Sequence, residues 1–227
     1  MIPRPSNPLI VALDTSDLAE AERLADLLSA HAAMMKVGFE LFWAHGPEAV
    51  RRVATRATVF VDSKLHDIPN TVERASANIA ALGVGMFNVH ALGGEVMMRA
   101  AREGATRGAE AAGVPVPLLV AVTVLSSHSG EDLASPASLA WEAKQAGLDG
   151  VVVSGEDVRD VRDVCGEEFC LVVPGIRPSG ANGDDQVRVL TPSAALDRGA
   201  DYLVVGRPIT DSEDPVGVAR GVALAAS

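Results

Sequence analysis

Short blocks of valine, leucine and isoleucine recur along the whole chain, separated by longer stretches in which apolar and polar residues mix. The blocks are "LIVALD" (9–14), "MMKVG" (34–38), "TVFVDSK" (58–64), "MFNVHA" (86–91), "LLVAVTV" (118–124), "GVVVSG" (150–155), "FCLVVPG" (169–175) and "YLVVGR" (202–207). They are near-continuously apolar rather than strictly alternating, the pattern of strands buried on both faces of a parallel sheet. The stretches between them are alanine-rich and amphipathic, as in Asp17 to His31 and Glu95 to Glu110, and predict helices covering that sheet. Three joints share one form, "AALGVGMFNVH", "KQAGLDGVVVSG" and "DRGADYLVVGR", in which Gly83, Gly147 or Gly199 ends a helix and a strand follows. Glycine suits the left-handed residue just past a helix C-terminus.

Eight strands, each followed by a helix, predict an α/β chain folded as one (β/α)8 barrel domain over residues 1–227. A doubly wound open sheet is the competing architecture. The chain contains no Pro/Ser-rich linker and no low-complexity block that would divide it. A barrel places functional residues at the C-terminal ends of its strands. The polar residues follow that rule: Asp14, Lys36, the pair Asp62 and Lys64, Asn88 with His90, Thr123 with Ser126, Arg177 and Gly206-Arg207 all fall at or just after strand ends. The opposite strand ends carry no comparable polar set, so the topology predicts one charged mouth.

Composition narrows the classes. Acidic residues outnumber basic ones by 30 to 19, a formal net charge of -11, which argues against a nucleic-acid surface. A few placed arginines still suffice for one phosphate. The two cysteines, Cys165 and Cys170, lie in or beside apolar segments and read as reduced packing residues. Prolines at positions 3 and 5 interrupt the apolar stretch a signal peptide needs, and no apolar run is long enough for a bilayer. A soluble cytoplasmic protein without membrane contact is expected. No spacing of His, Cys and carboxylates forms a zinc site, and no G-x-x-x-x-G-K-[ST] loop is present.

The stretch "VDSKLHDIPNT" (61–71) concentrates the chemistry. Asp62 and Lys64 are two apart, which puts them on one face of a regular strand. With Lys36 from the neighbouring strand they make an array of alternating charge. As a structural salt bridge such an array adds little stability, whereas at this end of a barrel it suits catalysis. Asp67 has two readings: cap of a helix that starts at Pro69, or part of the array. Arg177, Gln186, Gly206 and Arg207 fall in the loops after strands seven and eight, where barrels commonly bind phosphate. The segment Ile176 to Val189 is long, rich in Gly, Pro and Asp, and reads as a lid beside that site. His66 is expected to point away from the pocket. His90 has two readings, mouth-lining or structural. His128 is a candidate cap residue, while His31 and His45 read as surface or helix-end residues.

These residues resemble a known family. "DSKLHDIPNT" matches the D-x-K-x-x-D-I-x-x-T signature of the orotidine 5′-phosphate decarboxylases, in the bacterial form. The resemblance continues through "VALD" (11–14), "KVG" (36–38), "NVHALGG" (88–94), "VTVLSS" (122–127), "PGIRP" (174–178), "GDDQVRVLTP" (183–192) and "VVGRPIT" (204–210). It implies a barrel that converts orotidine 5′-monophosphate to uridine 5′-monophosphate and CO2, the last step of de novo pyrimidine nucleotide synthesis, without metal or organic cofactor. It also implies a homodimer with shared sites. Lys64 would be the proton donor to C6, and Lys36, Asp62 and Asp67 would complete the charged array. Asp67, Ile68 and Thr71 would reach the partner's site. Asp14 and Lys36 would bind ribose, Ser126 the pyrimidine, and Arg177, Gln186, Gly206 and Arg207 the phosphate. The position of Ser126 is more often threonine in bacterial relatives.

Two other functions compete. A magnesium-dependent sugar-phosphate lyase of the same superfamily shares D-x-K-x-x-D but has an acidic metal ligand at the second strand, where this chain has Lys36. A non-catalytic nucleotide-phosphate sensor would need the arginines but not two lysines and two aspartates together.

Overall fold

The computed structural model describes residues 5–124, 134–177 and 190–225. The apolar blocks form eight parallel strands: Leu9–Ala12 (β1), Met34–Val37 (β2), Val59–Leu65 (β3), Met86–His90 (β4), Leu118–Val122 (β5), Gly150–Val152 (β6), Cys170–Val173 (β7) and Tyr202–Val205 (β8). Each pairs with the next, and β1 pairs with β8 through Leu9↔Leu203, Ile10↔Val204 and Val11↔Val205, so the sheet closes. The fold is a single-domain (β/α)8 barrel. The open doubly wound sheet is thereby excluded.

Residue parity sorts the core into two layers. Ile10, Met34, Phe60, Met86, Val172 and Val204 point into the barrel and pack on one another. Leu9, Val11, Met35, Val59, Phe87 and Leu171 point outward, against the helices. The helices include Leu18–Leu28 (α1), Phe39–His45 (α2), Pro47–Ala54 (α3), Pro69–Ala80 (α4), Gly94–Ala112 (α5), Pro136–Gln145 (α6) and Val158–Cys165 (α7). Pro192–Asp197 (α8), Arg207–Thr210 (α9) and Pro215–Leu224 (α10) complete the set. The segment from Asp17 starts as expected: its carboxylate accepts from the Ala19 and Glu20 amides, capping α1. Gly83, Gly147 and Gly199 all have positive φ (72°, 82° and 104°), as their position after a helix requires. Between β2 and β3 the chain makes two helices, broken at Gly46 (φ 61°) and Pro47. No helix among the described residues is long and apolar enough to cross a membrane.

Two glycines set the approach of α5 to α4. A Cβ at Gly104 would lie 2.0 Å from the Glu73 carbonyl oxygen, and one at Gly108 would lie 2.1 Å from that of Ala77. Only glycine lets the two helices pack this closely, and α4 is the helix whose N-terminus carries Asp67 and Ile68.

The opposite rim is not free of charge, contrary to the expectation from sequence. Just before β8, Asp201 Oδ2 accepts from the Leu171 amide (2.8 Å) and from Arg162 Nη2 (2.8 Å), while Arg162 also donates to the carbonyls of Gly166, Phe169 and Gly199. Just before β6, Asp149 repeats the device. Its Oδ2 accepts from the Leu119 amide (2.7 Å) and from Arg102, which also binds the Gly147 carbonyl. In each case an arginine from a helix ties a strand-leading aspartate to the glycine turn and to the neighbouring strand. These charges read as polar residues in the sequence but are engaged with one another and with backbone. They are part of the scaffold.

Removing one partner of a buried ion pair strands the other. Asp201→Ala is expected to lower the free energy of unfolding by about 3–5 kcal/mol, seen as a lower urea midpoint. Asp149→Ala should cost less, since the Arg102–Asp149 side chains are 21% and 26% exposed against 7% and 7% for Arg162–Asp201. Equal losses would show that burial is not what sets the cost.

Candidate active site

The parity that sends Met34 and Met86 into the barrel sends Lys36 and Asn88 inward one layer higher, near the C-terminal rim. Both are buried, Lys36 at 9% and Asn88 at 1% exposure. On β3 the same parity aims Asp62 inward after Phe60, but the strand then departs from regular geometry. Val61 is opposite Phe87 and Leu65 is opposite Val89, so Asp62, Ser63 and Lys64 together face the single residue Asn88. The sequence expectation that Asp62 and Lys64 share a strand face is therefore right in outcome and wrong in cause. A bulge brings them together, not the period of two.

Asn88 fills the gap left by the bulge. Its Oδ1 accepts from the Lys64 amide (2.6 Å), its Nδ2 donates to Asp62 Oδ1 (2.8 Å), and its backbone carbonyl accepts from the Ser63 hydroxyl (2.6 Å). Lys64 has φ 43°, the one positive φ on a non-glycine residue among those described. Such a conformation costs on the order of 1–3 kcal/mol and persists only where its surroundings impose it.

From Lys64 a chain of alternating charge crosses the mouth. Lys64 Nζ donates to Asp62 Oδ1 at 2.5 Å, Asp62 Oδ2 lies 3.4 Å from Lys36 Nζ, and Lys36 Nζ donates to Asp14 Oδ1 at 3.1 Å. Burial alone would push the Asp62 carboxyl up. The charges of Lys36 and Lys64, with the hydrogen bonds from Lys64 and Asn88, outweigh it and hold the pKa below the usual carboxylate value. Gly38 keeps room for this chain, since a Cβ there would lie 2.9 Å from Lys36 Nζ. The aromatic ring of Phe39, at the start of α2, lies 5.3 Å from the Lys64 ammonium and is half exposed. A cation over a ring face is attracted to it.

Asp67 joins none of this among the described residues. It is exposed, and among those residues its Oδ1 accepts from the adjacent Ile68 amide alone (2.6 Å). The local cap reading also fails: Ile68 is the N-cap residue of α4, with no side-chain cap bond, and Pro69 begins the helix. Ile68 and Thr71 are exposed beside it. His66 is exposed and stacks on His90, with ring centroids 5.4 Å apart.

On the far side of the mouth, Arg177 follows β7 and is buried at 8% exposure. Its backbone amide donates to the Leu190 carbonyl, while its enclosed Nε meets no hydrogen-bond partner among the described residues. Gly206 follows β8, and a Cβ there would press to 3.2 Å from Asp14 Oδ2, so this glycine stands against the end of the charged chain. Arg207 follows, exposed, at the start of α9. Ser126, His128, Gln186 and residues 178–189 of the expected lid lie outside the described residues. The residue that sequence reasoning left without a role is Asn88. Its signal was available: it shares inward parity with Met86 and stands in "NVH" beside the array.

Comparison with known proteins agrees with this geometry. A family model described as "Orotidine 5'-phosphate decarboxylase / HUMPS family" matches residues 7–222. The chain is 49% identical to the orotidine 5′-phosphate decarboxylase of Moorella thermoacetica, over 95% of this chain and 90% of that protein. It is 48% identical to that of Syntrophotalea carbinolica, over 94% and 92%. The crystal structure of orotidine 5′-phosphate decarboxylase from Lactobacillus acidophilus superposes with a TM-score of 0.84 at 35% identity, covering 97% of this chain and 99% of that one.

The lowered pKa of Asp62 has a consequence for stability. A carboxylate with a depressed folded pKa contributes stability that is complete above its unfolded value, about 3.9, and lost as pH falls through the folded value. The stability difference between wild type and Asp62→Asn is thus expected to shrink as pH is lowered from about 6 to about 3, measured by paired urea titrations. A difference that stays constant over that range would contradict the assignment.

Proposed function

The chain belongs to the orotidine 5′-phosphate decarboxylase / HUMPS family, and from that premise we propose that it converts orotidine 5′-monophosphate to uridine 5′-monophosphate and CO2, the last step of de novo UMP synthesis. The observation that carries the proposal is the alternating chain Asp14–Lys36–Asp62–Lys64 at the strand ends. When the bond between C6 and the carboxylate breaks, the electron pair stays on C6. Lys64 then supplies a proton to C6 from its ammonium and is reprotonated from solvent. Asp14 and Lys36 bind the ribose hydroxyls, Ser126 the pyrimidine, and Arg177, Gln186, Gly206 and Arg207 the phosphate.

Magnitudes assign the work to more than one group. Enzymes lower barriers by roughly 8–23 kcal/mol. One ion pair near a protein surface supplies about 4 kcal/mol at 4 Å. The rest comes from charges fixed before the substrate arrives and from phosphate binding directed to the transition state. Asp62 has both carboxylate oxygens engaged, Oδ1 by Lys64 and Asn88 and Oδ2 facing Lys36. This favours a role in holding the two lysines charged and oriented over one in repelling the substrate carboxylate.

The same proposal makes the enzyme a homodimer in which Asp67, Ile68 and Thr71 enter the partner's site. Two features support it. Among the described residues Asp67 has no cation partner, and exposed apolar residues stand on the same and the flanking units, with Ile68 at 66%, Trp43 at 79% and Val96 at 71% exposure. A cytoplasmic location accords with two free, buried cysteines. Lys36 also distinguishes this reading from the magnesium-dependent lyases. Its ammonium occupies the position of their acidic ligand and opposes a cation there.

Purified protein is expected to decarboxylate orotidine 5′-monophosphate at an undiminished rate in excess EDTA, and Lys64→Ala to abolish turnover while keeping affinity for uridine 5′-monophosphate. Loss of activity in EDTA would favour the lyase, and substantial turnover by Lys64→Ala would remove its assigned role. For the shared site, Asp67→Ala and Lys64→Ala subunits, each inactive alone, should regain activity when mixed and allowed to exchange. In that hybrid one of the two sites has a full set of groups. No recovery, with exchange verified by mass spectrometry, would count against sharing.

A further inference from the structure

Asn88 is a neutral, buried side chain placed where the charged chain meets the backbone of β3. Its amide orientation follows from its partners. The Lys64 backbone N–H can only donate, so it must meet Oδ1, which turns Nδ2 toward the Asp62 carboxylate. The two bonds span the bulge, where β3 has three residues facing one. They fix the Lys64 backbone at its left-handed φ and, through Asp62 Oδ1, the position from which the carboxylate receives the Lys64 ammonium. One carboxamide therefore controls both ends of the lysine, its backbone directly and its Nζ by way of Asp62.

We propose that Asn88 is the positioning residue of this site: its carboxamide holds the bulge of β3 in the form that aims the Lys64 ammonium at the reacting carbon. This rests on the decarboxylase reading for its kinetic consequences but not for its structural one. Asn88 touches no reacting atom in this account, and it acts through Lys64 and Asp62.

Two substitutions test it. Asn88→Ala removes both bonds. Its kcat on orotidine 5′-monophosphate is expected to fall about a hundredfold, the scale of a misplacement of roughly 1 Å, with affinity for uridine 5′-monophosphate largely kept. In its crystal structure Lys64 should leave the positive-φ region. Asn88→Asp keeps the acceptor for the Lys64 amide but sets a second carboxyl group against Asp62. The groups around it are Asp62 and Lys64 from β3, Lys36 from β2 with Asp14 behind it, and His90 on the same strand. Two carboxyl groups at hydrogen-bond distance share a proton, which raises the apparent pKa of the pair. Below that pKa the protonated group donates to Asp62 as the amide does. The activity of Asn88→Asp relative to wild type should therefore climb as pH falls, while the ratio for Asn88→Ala stays flat.

A role for Asn88 that does not pass through its bond to Asp62 gives no such pH-dependent rescue. A flat ratio for Asn88→Asp, or an Asn88→Ala crystal structure with Lys64 still at positive φ, would overturn the proposal. If Asn88→Ala fails to fold, the pH ratio of Asn88→Asp decides. If the wild type does not decarboxylate the substrate, the functional reading fails separately, and the Lys64 conformation in the variant crystals decides the role of Asn88.

Discussion

The candidate site depends on one constraint, that the Asp62 carboxylate is enclosed at the inner rim of a barrel. An ionised carboxylate taken from water costs several kcal/mol unless charges and donors meet it. Lys36, Lys64 and Asn88 do so from three adjacent strands. Each of those partners has a further demand. Lys36 needs room, which Gly38 leaves, and a second carboxylate, which Asp14 supplies. Lys64 must turn back toward a residue only two positions away, and that requires the bulge. Asn88 must be inward-facing, buried and able both to donate and to accept a hydrogen bond. The bulge of β3, the glycine after β2 and the inward asparagine of β4 thus all serve the placing of one charge.

The two rims of the barrel show how similar residues take different roles. Asp149 and Asp201 are also aspartates at strand ends, also paired with basic side chains. Their oxygens accept from backbone amides of the neighbouring strand, so they complete the sheet's own hydrogen bonding. At the other rim the charges bond mainly to other side chains. A carboxylate saturated by backbone stabilises a turn. A carboxylate that fixes two lysines by their side chains leaves the ammonium groups with further donors to offer something else. Counting polar residues at strand ends does not separate these cases, which is why the sequence alone made the far rim seem bare.

The architecture was legible because it rests on repetition. Eight apolar blocks, helices between them and glycines at the joints all express local preferences that tertiary contacts reinforce. The inward parity of Lys36 and Asp62 was legible for the same reason. Lys64 was harder. A period of two predicted its meeting with Asp62, yet the strand breaks its period there, and nothing in "DSK" announces a positive φ on lysine. The bulge becomes visible only with its partner strand in view, because register is a property of two strands. Asp67 was unreadable locally for a related reason. Proline at the first helical position made a cap expected, but the capping position falls on Ile68, and Asp67 is left exposed beside it.

The reaction proposed for this site develops negative charge on carbon, which places a premium on charges that need not move. Water or a mobile lysine would reorganise as the charge forms, and that reorganisation is part of the barrel-free barrier. Here the ammonium is held at three levels: Asp62 at its tip, the Phe39 ring beside it and Asn88 at its backbone. Holding a lysine at positive φ is unfavourable in itself, by about 1–3 kcal/mol. That is small against the roughly 8–23 kcal/mol by which enzymes lower barriers. The Asn88 bonds and the closed sheet around them oppose that cost, so the segment keeps a local conformation that it would not keep alone.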